Sequence, residues 1–465
     1  MTSTATANNA YLPQTDRLGL LHRGVGIGLL AILLVYLSVF VSQIEPKFSI
    51  LLTAVTLALG GKRLLNPGIW PLLAITLYSG CLDVFFPGPK PDMGVVMEHP
   101  LFLLDCVLLT ALVLGGQSVR RQYFLMLGIL LISLIGAVGD WTGHDMTALL
   151  PFELPDDAVV NTIILQQGDV ARIRGFFSEA GVLAAVSIGV ATAVTIGAMV
   201  LINLRSNLQS AWVGLLSAVC MGAGIICITV TKSGFMMIGA GSVGFCVVLL
   251  ASRNPRCRIL AAMIIGTLII GFAAFYQFGP PTITNYLRGE VMAAVNPYAM
   301  TAEDVAGHSG VVTRYKCWLL AFTSIRQYPL GVGAYGLGSV IANAGNAGMT
   351  HEMRYFFSRD NFGLKNALAN LIAQTGIVGV GLLGYWMWCA LVRPIRICLA
   401  EGSVRGSLVA GLYGASAFLA FFFLFSCELY PSMAFLLLLK CHADAIAHAC
   451  MKEPEHQTES VELIG

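Results

Sequence analysis

Apolar stretches near the roughly 20 residues that a bilayer's hydrocarbon core demands of a helix follow one another along this chain. That repetition limits the fold more than any single motif. Of 465 residues, 57% are hydrophobic and 11% are charged, against roughly 25% charged in soluble domains. A water-soluble fold would leave a large apolar surface exposed. The sequence therefore predicts an all-α polytopic membrane protein with about twelve transmembrane helices.

The expected spans lie near Gly24–Val41, Ser49–Leu59, Trp70–Phe86, Leu101–Leu114, Phe124–Val138 and Gly181–Asn203. They continue near Ala211–Val230, Gly234–Ala251, Ile259–Phe278, Leu368–Leu391, Gly406–Phe425 and Pro431–Ala447. The second is short, and the last contains Lys440.

Basic residues set an expected orientation. Alternate short loops carry Arg23, Lys62/Arg63, Arg120/Arg121, Arg205, Arg253/Arg256/Arg258 and Arg393/Arg396/Arg405. The intervening short loops carry only Lys47, Lys90 and Lys232. Positive residues mark the cytoplasmic side, so both termini are expected there. The first span follows a polar start without a small-residue cleavage site and reads as an uncleaved anchor. The net charge of +2 decides nothing by itself.

The twelve cysteines are scattered, mostly within spans, with no C-x-x-C and no His/Cys cluster at metal spacing. They read as small buried apolar residues. There is no P-loop, no G-x-G-x-x-G after a strand and no Asp-x-Asp, so neither a cofactor nor a metal is expected. No basic–aromatic patch points to nucleic acid.

Two expected outer loops, Gly139–Ser178 and Gly279–Lys365, are far longer than the rest, and such loops in a compact bundle are usually functional or disordered. The second carries Arg288, Arg314, Lys316, Arg326, Arg354, Arg359 and Lys365 among Tyr286, Tyr298, Trp318, Tyr328, Tyr335 and Tyr355. Cations outside run against the positive-inside trend and suggest attraction of an anion. A guanidinium fork suits phosphate, and flat aromatic rings suit sugar faces. The blander account is that long loops cross regardless of charge and that Glu290, Glu303, Asp304, Glu352 and Asp360 pair these cations. Within the loop, Thr313–Gln327 reads as an amphipathic helix with Trp318, Leu319, Phe322 and Ile325 on its apolar stripe, stopped by Pro329. That stripe suits either the bilayer surface beside a lipid substrate or ordinary packing.

Four segments together resemble the O-antigen polymerase/ligase family, bacterial membrane glycosyltransferases that include the Wzy-type polysaccharide polymerases. Arg172-Ile-Arg-Gly-Phe-Phe-Ser-Glu179 resembles the family's R-x-x-G-x-F-x-E segment, and Thr231-Lys-Ser-Gly234 its S-[RK]-S-G stretch. Arg314-x-x-x-Trp318 followed by Tyr328-Pro-Leu-Gly-Val-Gly333 resembles R-x-x-x-W and P-L-x-G-x-G. The run from Lys365-Asn366 through Gln374-Thr-Gly-Ile-Val-Gly379 resembles H-N-x-x-L-x-x-x-x-E-x-G-I-x-G. Lys365 stands where the ligases carry a histidine thought to be catalytic, and Gln374 where Glu is common. Those departures favour a polymerase over a ligase and leave the general base unassigned.

The resemblance implies a GT-C-like fold with two large periplasmic loops in a bacterial inner membrane. It divides the chain into N-terminal helices with the first loop (1–171), a core containing loop 279–365 (172–381), and C-terminal helices with a cytoplasmic tail (382–465). The implied reaction moves a glycan from undecaprenyl pyrophosphate to a sugar hydroxyl of another lipid-linked unit, without a metal. Cations would stabilise the departing pyrophosphate, since pre-aimed charge is often the largest catalytic contribution. The expected catalytic set is Arg174, Glu179, Arg314 and Lys365. Arg172, Lys232, Trp318, Arg354, Arg359, His351 and Asn366 are expected to hold pyrophosphate or sugar. Glu179 serves as base, orients an arginine, or simply complements a helix dipole; His308 and His351 are further base candidates. A chain-length regulator and export machinery are the implied protein partners. The competing readings are an O-antigen ligase, a transporter or flippase of lipid-linked oligosaccharide, and a membrane scaffold. Transporters place ionisable groups at mid-membrane, and Asp83, Asp105 and Lys440 are the in-span candidates.

Overall fold

The computed structural model describes residues 68–85, 119–144, 146, 162–165, 168–171, 173, 175, 180–229, 232–279, 309–333, 336, 366–426 and 429–451. The expected spans Gly24–Val41, Ser49–Leu59 and Leu101–Leu114 lie outside them, as does Asp105. Every other expected span is a helix. In chain order these are α1 (Trp70–Phe85), α2 (Val119–Trp141), α3 (Ala180–Asn203), α4 (Leu208–Thr229), α5 (Lys232–Ala251) and α6 (Pro255–Phe278). Then come α7 (Ser309–Gln327), α8 (Ala367–Met387), α9 (Arg393–Ala400), α10 (Val404–Ser426) and α11 (Leu429–Met451). A π-helical turn, Trp388–Val392, joins α8 to α9.

Seven segments among the described residues are long and apolar enough to cross a membrane: those of α2 to α6, the α8–α9 run and α10. A multi-pass membrane protein follows from these. The α8–α9 run covers 34 residues, more than the roughly 20 that a hydrocarbon core demands of a helix. Its last turns carry Arg393 and Arg396. There the Arg396 guanidinium lies 4.8 Å from the centre of the Trp388 ring, a cation–π contact.

Helix order and cross-contacts define the two ends of the bundle. At one end Ser252 and Ser407 hydroxyls meet at 2.6 Å, Trp386 Nε1 donates to the Gly68 carbonyl at 2.6 Å, and Ser206 Oγ donates to the Ala449 carbonyl at 3.4 Å. Arg120, Arg205, Arg253, Arg256, Arg258, Arg393, Arg396 and Arg405 flank this basic end. α6 starts there with a deliberate cap: Asn254 Oδ1 accepts from the Arg256 N–H, and Pro255 fills the first turn, where a missing N–H costs nothing.

The core is built around α3, whose small residues let neighbours approach. Gly189 lies against Phe423 of α10 and Phe435 of α11, whose rings stack at 3.6 Å. Gly197 lies against His442 and Tyr123, and the His442 Nε2–H donates to the Ala193 carbonyl at 3.2 Å. Lys440, anticipated as the weakness of the last span, pairs with Asp444 one turn on, and Asp444 also accepts from the Tyr413 hydroxyl at 2.7 Å. Neutralising a cation inside a helix bundle in this way is how such residues are tolerated.

The expected loop Gly139–Ser178 differs from its reading. α2 extends into it as far as Trp141, and an antiparallel hairpin follows, Thr162–Leu165 (β1) with Gly168–Ala171 (β2), Ile163 opposite Val170. Thr162-Ile-Ile-Leu165 is β-branched and apolar, the composition that suits a pleated, half-buried surface.

Candidate functional site

The sequence treats Leu368–Leu391 as one continuous span. In the structure α8 is broken at Gly376, whose φ of 57° and ψ of −147° are not helical. That backbone region is essentially open to glycine alone. A broken helix within a membrane bundle frees backbone groups that must find new partners. Here they find them in the turn that follows α7. Ile377 N–H donates to the Pro329 carbonyl at 2.9 Å, and Val332 N–H donates to the Gln374 carbonyl at 3.0 Å. Gly331 (φ 92°) and Gly376 each stand where a Cβ would collide with the other strand's backbone.

Two of the four motif segments, Tyr328–Gly333 and Lys365–Gly379, are thus interlocked backbone to backbone. Their glycines are explained by this close approach. α7 descends beside the first half of α8, sharing a small apolar cluster of Cys317, Leu320, Ala321, Val332, Ala369 and Ala373. Ser324 Oγ donates to the Ala373 carbonyl at 3.4 Å. α1 closes a third side: the Tyr78 hydroxyl donates to the Leu330 carbonyl at 2.8 Å, and buried Asp83 lies against Gly333.

The half-helix above the break carries a polar column four residues apart, Asn366, Asn370 and Gln374, all buried. Residues at i and i+4 lie one above another on one helix face. Asn366 is the N-cap, its Oδ1 accepting from the Ala369 N–H at 2.9 Å, which satisfies one of the helix's orphan donors. Gln374 Nε2 donates to Asn370 Oδ1 at 2.7 Å. Gln374, where the family commonly carries Glu, is therefore a neutral hydrogen-bonding member of this column.

Trp318 is half-buried. Its ring lies 5.2 Å from Phe425 of α10 and 5.7 Å from Phe322, so part of its surface packs within the protein. Arg314 lies in α7 one turn earlier, and Lys232 is the first residue of α5; the side chains of both are outside the described residues. Arg172, Arg174, Glu179, His351, Arg354, Arg359 and Lys365 are outside them altogether, as is His308. The neighbours of the two first-motif arginines are anchored. Ile173 is buried, and the Gly175 N–H donates to Asp140 at the end of α2 at 3.2 Å.

The structure thus brings the last two motifs together, and the starts of α3 and α5, which the other two motifs adjoin in sequence, lie at the end of the bundle opposite the basic end. Asn370 and the contact of Asp83 with Gly333 are features that the motif reading missed. Asn370 was discoverable: three amides at a spacing of four on an otherwise apolar helix are expensive in a membrane and rarely idle. Compared with known proteins, the chain matches no family model and no curated sequence.

Proposed function

We propose that this chain is a metal-independent polysaccharide polymerase of the inner membrane. It transfers a lipid-linked glycan from undecaprenyl pyrophosphate to a sugar hydroxyl of a second lipid-linked repeat at the periplasmic face. The observation that carries this reading is the interlock at Gly376. Two sequence segments singled out for their resemblance to such enzymes hold each other's backbone at a broken helix lined with buried amides. A structural accident would not need both glycine-rich segments to meet.

In this reading Arg172, Arg174, Lys232 and Arg314 draw the pyrophosphate to that end and stabilise the charge that develops on it. Arg354, Arg359, His351 and Trp318 contact pyrophosphate or sugar, Glu179 acts beside the arginines, and Lys365 contacts the pyrophosphate or the acceptor. Discontinuous helices also serve carriers, and the partly exposed Lys440–Asp444 pair within α11 fits that alternative.

One assay separates them. Purified protein is incubated with lipid-linked repeat units. A polymerase yields a ladder on the carrier lipid; a ligase yields none without a lipid A core; a flippase changes sidedness and leaves the glycan unchanged. Arg174→Ala and Arg314→Ala should abolish the ladder at normal protein levels, with Lys at either site rescuing only in part because a point charge lacks the bidentate fork. Full activity in both Ala variants refutes the assignment.

A further inference from the structure

Asn366 has an uneven pair of ends. Its Oδ1 is committed to the Ala369 N–H, and since only oxygen can accept that bond, the identity of the free end is fixed as Nδ2. That nitrogen is fully buried and has no hydrogen-bond partner among the described residues, while the residue as a whole is 0% exposed. A buried donor left unmade is costly and rare in native proteins. It belongs to the N-terminal member of the column whose other members, Asn370 and Gln374, are bonded to each other. The column itself belongs to the half-helix that breaks at Gly376 and is clasped by the turn after α7.

We infer that Asn366 Nδ2 is a glycan-reading donor: it hydrogen-bonds a neutral oxygen, hydroxyl or amide carbonyl, of the lipid-linked sugar unit. The inference rests on the polymerase reading for its ligand. The amide is suited to sugar and unsuited to discriminating pyrophosphate, because it is uncharged and offers a single directed N–H pair. The cations of the neighbouring segments take the pyrophosphate; the amide column takes the part that carries identity. A site built to hydrogen-bond an oxygen rejects ligands lacking it, because its own buried donor is then left unpaired.

Capping and reading are separable by substitution. Asn366→Asp keeps an oxygen for the Ala369 N–H, and Asn366→Gly leaves an N-cap residue only slightly poorer than Asn; both remove the side-chain donor. Two probes, bare undecaprenyl pyrophosphate and the same lipid carrying one repeat unit, are added to purified full-length protein, and the thermal midpoint is read. A ligand that binds only the folded state raises that midpoint with its affinity. Wild type should be stabilised more by the glycosylated lipid than by the bare one. In both variants the glycan's increment over the bare lipid should vanish, with affinity for the glycosylated lipid falling about tenfold beyond any change for the bare one, the order expected of one lost polar contact; in the uncharged glycine variant the bare lipid should act as in wild type.

An increment that survives in either folded variant overturns the inference, as does a wild type that does not distinguish the two lipids. If the aspartate variant fails to fold, the glycine variant decides alone, and Asn366→His, which restores a ring N–H donor, should recover part of the increment. Glycan-dependent stabilisation without a ladder in the polymer assay leaves this inference standing and removes the polymerase reading.

Discussion

α3 and α6 are each 24 residues long, and their spanning segments have closely similar mean hydropathy. Yet 83% of the α3 window is buried inside the protein and only 6% of the α6 window. Hydropathy places both helices in the bilayer and says nothing about which solvent each meets there. The difference lies in side-chain size. α3 is rich in Gly, Ala, Ser and Thr, and its glycines seat the aromatic rings of α10 and α11. α6 turns Ile259, Met263, Ile269, Ile270, Phe272 and Phe278 outward, and none of the described residues approaches Gly266 or Gly271. Between lipid and protein there is little hydrophobic preference, so close packing of small residues decides the core of a membrane bundle.

The largest expected effect comes from filling a core glycine. A Cβ at Gly189 would stand 2.7 Å from Phe435 and 2.9 Å from Phe423, so Gly189→Leu must displace a stacked ring pair. Overpacking costs roughly 1–3 kcal/mol and occasionally more; here two aromatics and no free volume put it at the upper end. Purified protein should lose monodispersity and a cooperative thermal transition. A variant that unfolds at the wild-type midpoint would show that the packing around α3 is not as described.

The second effect tests the broken helix, which belongs to neither extreme. Gly376→Ala places a Cβ against the Pro329 carbonyl in a backbone conformation reserved for glycine. Strain of this kind costs on the order of 1–3 kcal/mol. The protein should remain folded, with a lowered thermal midpoint, and the polymer ladder should disappear. Unchanged product would detach the interlock from the proposed reaction. A smaller effect is expected at the basic end, where buried Ser252 and Ser407 share a hydrogen bond that ties α5 to α10. Ser407→Ala removes it, and the loss should be near the ~1 kcal/mol typical of one such bond, read as a modest drop in the same midpoint without loss of product.

Much of this was legible from local sequence. Most described helices begin and end within a few residues of the expected spans, because hydropathy and the basic loops are local signals; the run expected to end at Leu391 continues to Ala400. Pro329 ends α7 after Gln327, as its missing donor and fixed φ require. Three features were not legible, each for a nonlocal reason. Gly376 breaks α8 only because Pro329 and Val332, more than forty residues earlier, accept and donate the freed bonds. Asp444, one turn on in the same helix, pairs with Lys440 and is itself held by the Tyr413 hydroxyl from the helix before, so the charge that weakened the last expected span is answered in three dimensions. The burial of α3 against the exposure of α6 depends on their neighbours. The sites expected at Arg172, Arg174, Glu179, His351, Arg354, Arg359 and Lys365 fall outside the described residues, so their support remains the motif pattern and the anchored positions beside them.

The smallest expected effect is the sharpest test of the comparison. Gly266→Leu on α6 introduces a side chain as large as the one at position 189, into the interior of a helix of the same length. A Cβ there meets nothing within 4 Å. In a helix interior Leu is also favoured over Gly by roughly 0.8–1.0 kcal/mol of intrinsic propensity. The variant should therefore match wild type or melt slightly higher, in lipid and in detergent, with an unchanged particle size. The paired outcome, collapse at 189 and tolerance at 266, would establish that lipid contact rather than hydropathy separates the two helices. A drop of more than about 1 kcal/mol at 266, well beyond the ±0.5 kcal/mol usual at surface positions, would mean that another surface covers α6 in the membrane. A change in particle size accompanying that drop would identify the cover as a second protein molecule, since small residues on a lipid-facing helix are where transmembrane helices approach one another. A drop at constant size would instead place the cover within the same chain.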